Sequence, residues 1–162
     1  MMRRVHPVPP RRGAAMVEMA MILPVFLMLF FAIIEFSLYL MALHTTNVAA
    51  MAAVRLAAVS TDEASVTDTT LRNKAYNTMG GIRNRLAAPA PGPMTPASPT
   101  ITLWCVPRFS QGVTTNQPWK NAGWGDSIFV SISARYQFIT PFRGAWTSAP
   151  IVAVAQMAAE TN

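Results

Sequence analysis

The sequence predicts an α+β chain with a long N-terminal membrane-spanning helix, a second amphipathic helix, and a small antiparallel β-rich head of about three strands. Residues 19–34 form an uninterrupted uncharged run, which is typical of a membrane helix. Residues 71–86 carry apolar side chains at helical spacing, and residues 127–139 alternate apolar and polar side chains as a half-buried strand does.

These patterns divide the 162 residues into one compact domain and a segment that is not a domain. We expect a basic leader, a long helix with a membrane-spanning half, a second helix, a proline-rich linker and a β-rich exported head. Their ranges are 1–13 for the leader, 14–59 for the long helix with about 19–43 in the membrane, 60–88, 89–99 and 100–162.

Basic residues are concentrated before Gly13. The chain has a formal net charge of +6, and without the leader nine basic residues face seven acidic ones. That balance leaves no excess of positive charge of the kind that binds nucleic acid, so we expect no nucleic-acid partner. The leader residues concerned are Arg3, Arg4, Arg11 and Arg12.

The apolar run can cross a bilayer. It resumes after Glu35 and reaches residue 43, about 25 residues in all, which spans a hydrocarbon core of about 30 Å. Because four arginines precede the run and the first arginine or lysine after it is Arg55, the N-terminus is expected in the cytoplasm and the C-terminus outside it. A cleaved secretory signal is the alternative, but its apolar core would be shorter.

Glu18 lies at the start of this apolar run. A carboxylate inside a membrane costs about 2.5–3.5 kcal/mol on the lenient insertion scales, so it is normally paired or functional. One interpretation is that Glu18 and Glu35 mark the two membrane interfaces. The other depends on the residues around Glu18.

The stretch from Arg11 and Arg12 through Gly13 and Ala14 to Glu18 resembles the processing site of type IVb prepilins. It is most similar to the TadE-like minor pseudopilins of the Flp or Tad pilus, in which a glycine is followed by glutamate and an aromatic residue; here Met19 takes the aromatic position. The resemblance implies cleavage after Gly13, which makes Ala14 the mature N-terminus. An early proline at Pro24, the pair Glu35 and Phe36, and residues 153–160 extend the resemblance.

The resemblance implies a minor pseudopilin of the bacterial inner membrane that is processed by a prepilin peptidase and takes part in the assembly, priming or capping of a Tad or Flp pilus. The implied partners are other pilins or minor pseudopilins, the peptidase, the inner-membrane assembly platform and the lipid bilayer. Glu18 could then pair with the Ala14 amine of a neighbouring chain and set the registry of assembly, with Glu35 as a second candidate. The alternative is a permanently membrane-anchored periplasmic scaffold or binding protein that does not enter a filament.

Alanines are frequent in residues 45–59. Their small side chains permit this part of the helix to pack closely either on the head or against another subunit. Ser60 and Glu63 fit a capping box, so a second helix should start near Asp62 and run to about residue 87, weakened at Gly80, or divide into two short helices. The basic residues of this helix form either a solvated face or a contact for anionic lipid headgroups; they are Arg72, Lys74, Arg83 and Arg85.

The head is predicted to be a meander of strands at residues 100–106, 127–139 and 151–157. A loop between the first two strands holds Phe109, Trp119 and Trp124, which could contact a partner or could complete a small core. Cys105 lies at an apolar position of a strand; burial is expected, with an intersubunit disulfide as the alternative.

We expect no enzyme activity, cofactor or metal. From residue 100 onward the chain has only Asp126 and Glu160 as acids and no histidine, so no general acid and base pair or metal cluster can be assigned. The chain is better interpreted as the substrate of a peptidase.

Overall fold

The computed structural model describes residues 12–87, 99–108, 117–139 and 148–160. Its longest element is helix α1, Arg12–Val59, which has 48 residues and continues through Pro24. The expected long N-terminal helix is thereby confirmed. The predicted linker lies, except for Pro99, outside the described residues.

The second helix begins later than predicted. Helix α2 is Asp68–Met79 and is capped by Thr67, whose side chain accepts from the backbone N–H of Thr70. The predicted start near Asp62 was wrong because Ser60 and Glu63 form a tight turn instead, in which the Glu63 N–H bonds to the Ser60 carbonyl. Gly80 adopts a φ of 54° at the end of α2, and the chain continues as a 3-10 helix over Gly80–Arg85.

The sheet has four antiparallel strands, β1 (Leu86–Ala87), β2 (Thr100–Val106), β3 (Ser127–Gln137) and β4 (Ser148–Ala158). Strand β3 is central: β4 follows one edge of it, and β2 and the short β1 lie one after the other along its other edge. The three longer strands and the mixed α+β class were predicted. The sequence analysis did not predict β1, since two residues carry no periodicity.

The core lies between one face of the sheet and α1. The alternating residues of β3 from Ile128 to Tyr136 are buried, as the sequence pattern predicted. Opposite them, the alanine-rich face of α1 is fully covered. Its buried members are Ala42, Thr46, Ala49, Ala50, Ala53, Val54, Ala57 and Ala58. The small residues of α1 therefore serve packing within the chain.

Strand β3 runs along α1 in the opposite direction. At one end the Glu160 N–H bonds to the carbonyl of Ala58, next to the start of β3. At the other end Tyr136 reaches Glu35. The helix from Glu35 to Ala58 measures about 35 Å at 1.5 Å per residue, and ten residues of strand measure about 33 Å. The head therefore covers α1 from Glu35 to its end.

Candidate functional site

The N-terminal part of α1 projects beyond the head. Every residue from 13 to 34 is exposed, whereas Glu35 is buried. This uncovered run measures about 33 Å at 1.5 Å per residue, close to the thickness of a hydrocarbon core. Helix α1 is long and apolar enough to cross a membrane, and it fits a membrane anchor. The uncovered run begins and ends nearer the N-terminus than the predicted membrane half at residues 19–43.

The predicted processing site lies in the first turn of α1. Gly13 and Ala14 are both helical and exposed, and a side chain at Gly13 would meet no other atom within 4 Å. Amide groups in a first turn lack intrahelical partners, so this turn unwinds at small cost. The side chains of the leader arginines, Arg3, Arg4, Arg11 and Arg12, lie outside the described part of the chain.

Glu18 is exposed one helical turn after Ala14. It has no hydrogen-bond partner among the side chains that the structure describes, and its neighbours on the exposed surface are apolar. Met16 and Met19, for example, are 76% and 63% exposed. Gly13, Ala14 and Glu18 thus share one uncovered end of the molecule, distant from the other predicted residues.

Glu35 has a different environment. Its side chain is 7% exposed and lies where the head first meets α1. The Tyr136 hydroxyl donates to one carboxylate oxygen at 3.0 Å, and the Ile139 N–H lies 3.2 Å from each oxygen. The head itself therefore encloses and binds the Glu35 carboxylate, and its position at a membrane interface stays a prediction.

Tyr136 joins this contact to the core. Its ring is fully buried and meets Tyr39 edge to face at 5.8 Å between centroids, and Phe138 at 5.6 Å. Burial raises the pKa of the Tyr136 hydroxyl, and the hydrogen bond to Glu35 and its negative charge raise it further, while Arg85 opposes the shift. The hydroxyl stays protonated and donates at neutral pH.

The pairing of Glu35 with Tyr136 was missed in the sequence. Glu35 lies on the same helical face as Tyr39, Ala42 and Thr46, at alternating spacings of four and three residues. That spacing marks the covered face of α1. A tyrosine on the buried face of a strand also needs a partner for its hydroxyl, and these two signals together could have predicted the contact.

Trp119 and Trp124 lie in different environments. Trp119 is 2% exposed, and its indole N–H donates to the Asp68 carboxylate at the start of α2 at 2.6 Å. Trp119 therefore belongs to the core, which is one of the two alternatives that the sequence left open for it. Trp124 is 69% exposed, and Phe109 lies outside the described residues.

Cys105 is buried, as expected, and its thiol contacts the Pro118 carbonyl at 3.2 Å. Burial raises its pKa, with a further contribution from the charge of Asp126. A buried, protonated thiol is poorly suited to a disulfide with another chain. Within the described residues, no group of three or more His, Cys, Asp or Glu side chains could hold a metal.

Comparison with known families adds one match. Residues 13–55 match the model of the family described as TadE-like protein, and this range contains the predicted processing site, Glu18, Glu35 and most of α1. No curated protein and no solved structure matches the chain significantly. The match includes no residue of the sheet. Residues 13–55 are thus similar to the TadE-like family, which is consistent with a TadE-like protein of the Flp or Tad pilus.

Proposed function

We propose that this chain is a minor pseudopilin, cleaved after Gly13 by a prepilin peptidase, that takes part in the assembly, priming or capping of a Tad or Flp pilus through α1. The observation that carries the proposal is the uncovered apolar helix of residues 13–34 with one carboxylate, Glu18, a turn after Ala14. In this role the chain is a substrate of an enzyme and not an enzyme.

The charge of Glu18 explains why this segment would assemble. In lipid an unpaired carboxylate is costly, and within the chain Glu18 has no partner among the described side chains. Cleavage after Gly13 creates an α-amine at Ala14. If neighbouring chains are staggered by about one helical turn, the amine of one lies beside the Glu18 carboxylate of the next. Both charges are then neutralised only in the correct register.

A second feature of α1 supports contact with other helices. The face of α1 opposite the head keeps large apolar side chains exposed beyond the uncovered run. They are Phe36, Leu40, Met41, Val48, Met51 and Val59, which are 43–64% exposed. An apolar stripe of this length is unusual on a solvated helix. Helices of other pilins or minor pseudopilins are the partners proposed for it.

The proposed topology follows from the leader. With Arg3, Arg4, Arg11 and Arg12 before the apolar run, the N-terminus stays in the cytoplasm and the head is periplasmic, in the bacterial inner membrane. Processing then takes place at the cytoplasmic face. Assembly draws the cleaved chain from the membrane into contact with the platform and other pilins.

Substitution of Glu18 tests the assembly role. In cells lacking the native copy, Glu18→Ala should be cleaved and should accumulate in the membrane but fail to restore surface pili, because the register contact is lost. Glu160→Ala is the matched control, since it removes an exposed carboxylate from the head. Sheared pili are quantified beside the processed chain.

Restoration of pili by cleaved Glu18→Ala at the level of Glu160→Ala would contradict the filament role. The chain would then be a membrane-anchored scaffold or binding protein outside the filament.

A further inference from the structure

Acidic residues are concentrated at one end of the head. Five of the seven acidic residues lie at the end where α1 terminates and where the Glu160 N–H bonds to the Ala58 carbonyl. Strand β3 begins at the same end, since the Asp126 carbonyl accepts from Ala159. The acidic residues there are Asp62, Glu63, Asp68, Asp126 and Glu160. Arg108, whose N–H bonds to Asp126, and Lys120, whose Nζ donates to the Glu63 carbonyl, lie among them, so this end keeps an excess of acidic residues.

The opposite end of the head is basic. Arg85 directly precedes Leu86, which pairs with Tyr136, the residue bound to Glu35. Arg135 is the next residue along β3 and pairs with Ala87 and Pro150. Arg83 and Arg85 are exposed, and Arg135 is half-buried.

The basic end lies where the uncovered part of α1 begins. Residues 13–34 are exposed, and the head starts at Glu35. When residues 13–34 cross a bilayer, Glu35 lies at its surface and the basic end of the head faces the headgroups. Ile139, whose N–H binds Glu35, is 56% exposed at the same place. Exposed apolar and basic side chains together are typical of a surface that contacts a membrane interface.

We propose that this basic end of the head, formed by Arg83, Arg85 and Arg135, binds anionic phospholipid headgroups of the bilayer that α1 crosses. The proposal goes beyond a role in the pilus and rests only on α1 as a membrane anchor. Guanidinium groups pair with phosphate oxygens in a forked geometry. Glu35 is the one acid among the described residues at this end, and its carboxylate accepts hydrogen bonds from Tyr136 and Ile139.

The charge pattern explains the choice of partner. An anionic bilayer attracts the basic end of the head and repels the far end, where acidic residues are in excess. The head is therefore oriented with its basic end toward the bilayer. Each arginine near an anionic surface raises binding roughly fivefold. The basic residues Arg72 and Lys74 lie on α2, between the two ends, and should contribute less.

Lipid selectivity of the full chain tests the proposal. The protein is reconstituted in phosphatidylcholine bilayers with trace spin-labelled phosphatidylglycerol or phosphatidylcholine, and electron spin resonance measures the fraction of each label that the protein restricts. A variant with Arg83→Gln, Arg85→Gln and Arg135→Gln should lose at least about threefold in selectivity for phosphatidylglycerol. The leader arginines are present in every sample, so the difference isolates the head.

Two further variants separate charge from structure. Arg83→Lys, Arg85→Lys and Arg135→Lys keep the charge and should keep most of the selectivity, whereas Arg72→Gln with Lys74→Gln should lower it less than the triple glutamine variant does. Equal selectivity in the wild type and the triple glutamine variant would overturn the proposal. So would an equal loss in the triple lysine variant, because it would mean that the substitutions act on folding. Neither result would bear on cleavage after Gly13 or on pilus assembly.

Discussion

The Tyr136 hydroxyl donates a hydrogen bond to the carboxylate of Glu35 across 101 positions of sequence. This contact joins the last buried residue of β3 to the first buried residue of α1. The head is therefore fixed to the helix at the point where the uncovered run of α1 begins. It follows that the orientation of the head relative to the membrane segment depends on this pair.

Tyr136→Phe should lower the free energy of unfolding of the head by about 1.5–3 kcal/mol, because a hydrogen bond to a buried carboxylate is lost. Thermal unfolding of the full chain in detergent, followed by circular dichroism, measures the change. Tyr39→Phe is the matched control: it removes the same atom from a half-buried ring whose hydroxyl has no bond within the described residues. Equal effects of the two variants would contradict the assigned contact.

The raised pKa of Tyr136 predicts the direction of a pH effect. The folded chain holds the phenol proton more tightly than the unfolded chain, whose tyrosine titrates near pH 10. The contribution of the contact is therefore present below about pH 10 and is lost as pH rises through the higher pKa of the folded state. Wild type and Tyr136→Phe should converge in stability above pH 10, and a constant difference between them would contradict this titration.

Close packing of α1 on the sheet predicts the effect of a larger side chain. Ala53 is fully buried in the alanine-rich face, so Ala53→Leu should destabilise the head by about 1–3 kcal/mol through overpacking. The same substitution at exposed Ala32 is the control and should change stability by less than about 0.5 kcal/mol. Tolerance of both substitutions would mean that the head does not pack on α1 as described.

The bond between Trp119 and Asp68 ties the loop before β3 to the start of α2. Asp68→Ala leaves the buried indole N–H without its acceptor and should cost about 1–3 kcal/mol, whereas Asp68→Asn keeps an acceptor and should cost less. Urea unfolding followed by tryptophan fluorescence measures both. A smaller loss for alanine than for asparagine would argue against the bond.

Local periodicity was sufficient for much of this fold. The alternation from Ile128 to Tyr136 predicted the buried face of β3 because strand side chains repeat every two residues. The uncharged run predicted the uncovered part of α1 in the same way. The spacing of Leu71, Ala75 and Met79 identified the covered face of α2, and all three are buried.

Local signals did not determine element boundaries or long-range pairs. Ser60 and Glu63 have the sequence pattern of a capping box but form a turn, whereas Thr67 and Thr70, which lack the usual glutamate, cap the helix. The extent of the head along α1 was missed because Glu35 belongs to the apolar run by sequence and to the head by contact. Trp119 was undecided for the same reason, since its partner Asp68 is 51 positions away.

Intact mass of the chain extracted from membranes, in cells with and without the cognate prepilin peptidase, tests the proposed processing most directly. With the peptidase, the mass should correspond to a chain that begins at Ala14. Without it, the mass should include the leader with its four arginines. A chain that begins at Met1 or Met2 in both kinds of cell would contradict cleavage after Gly13 and leave Glu18 without an amine to pair with.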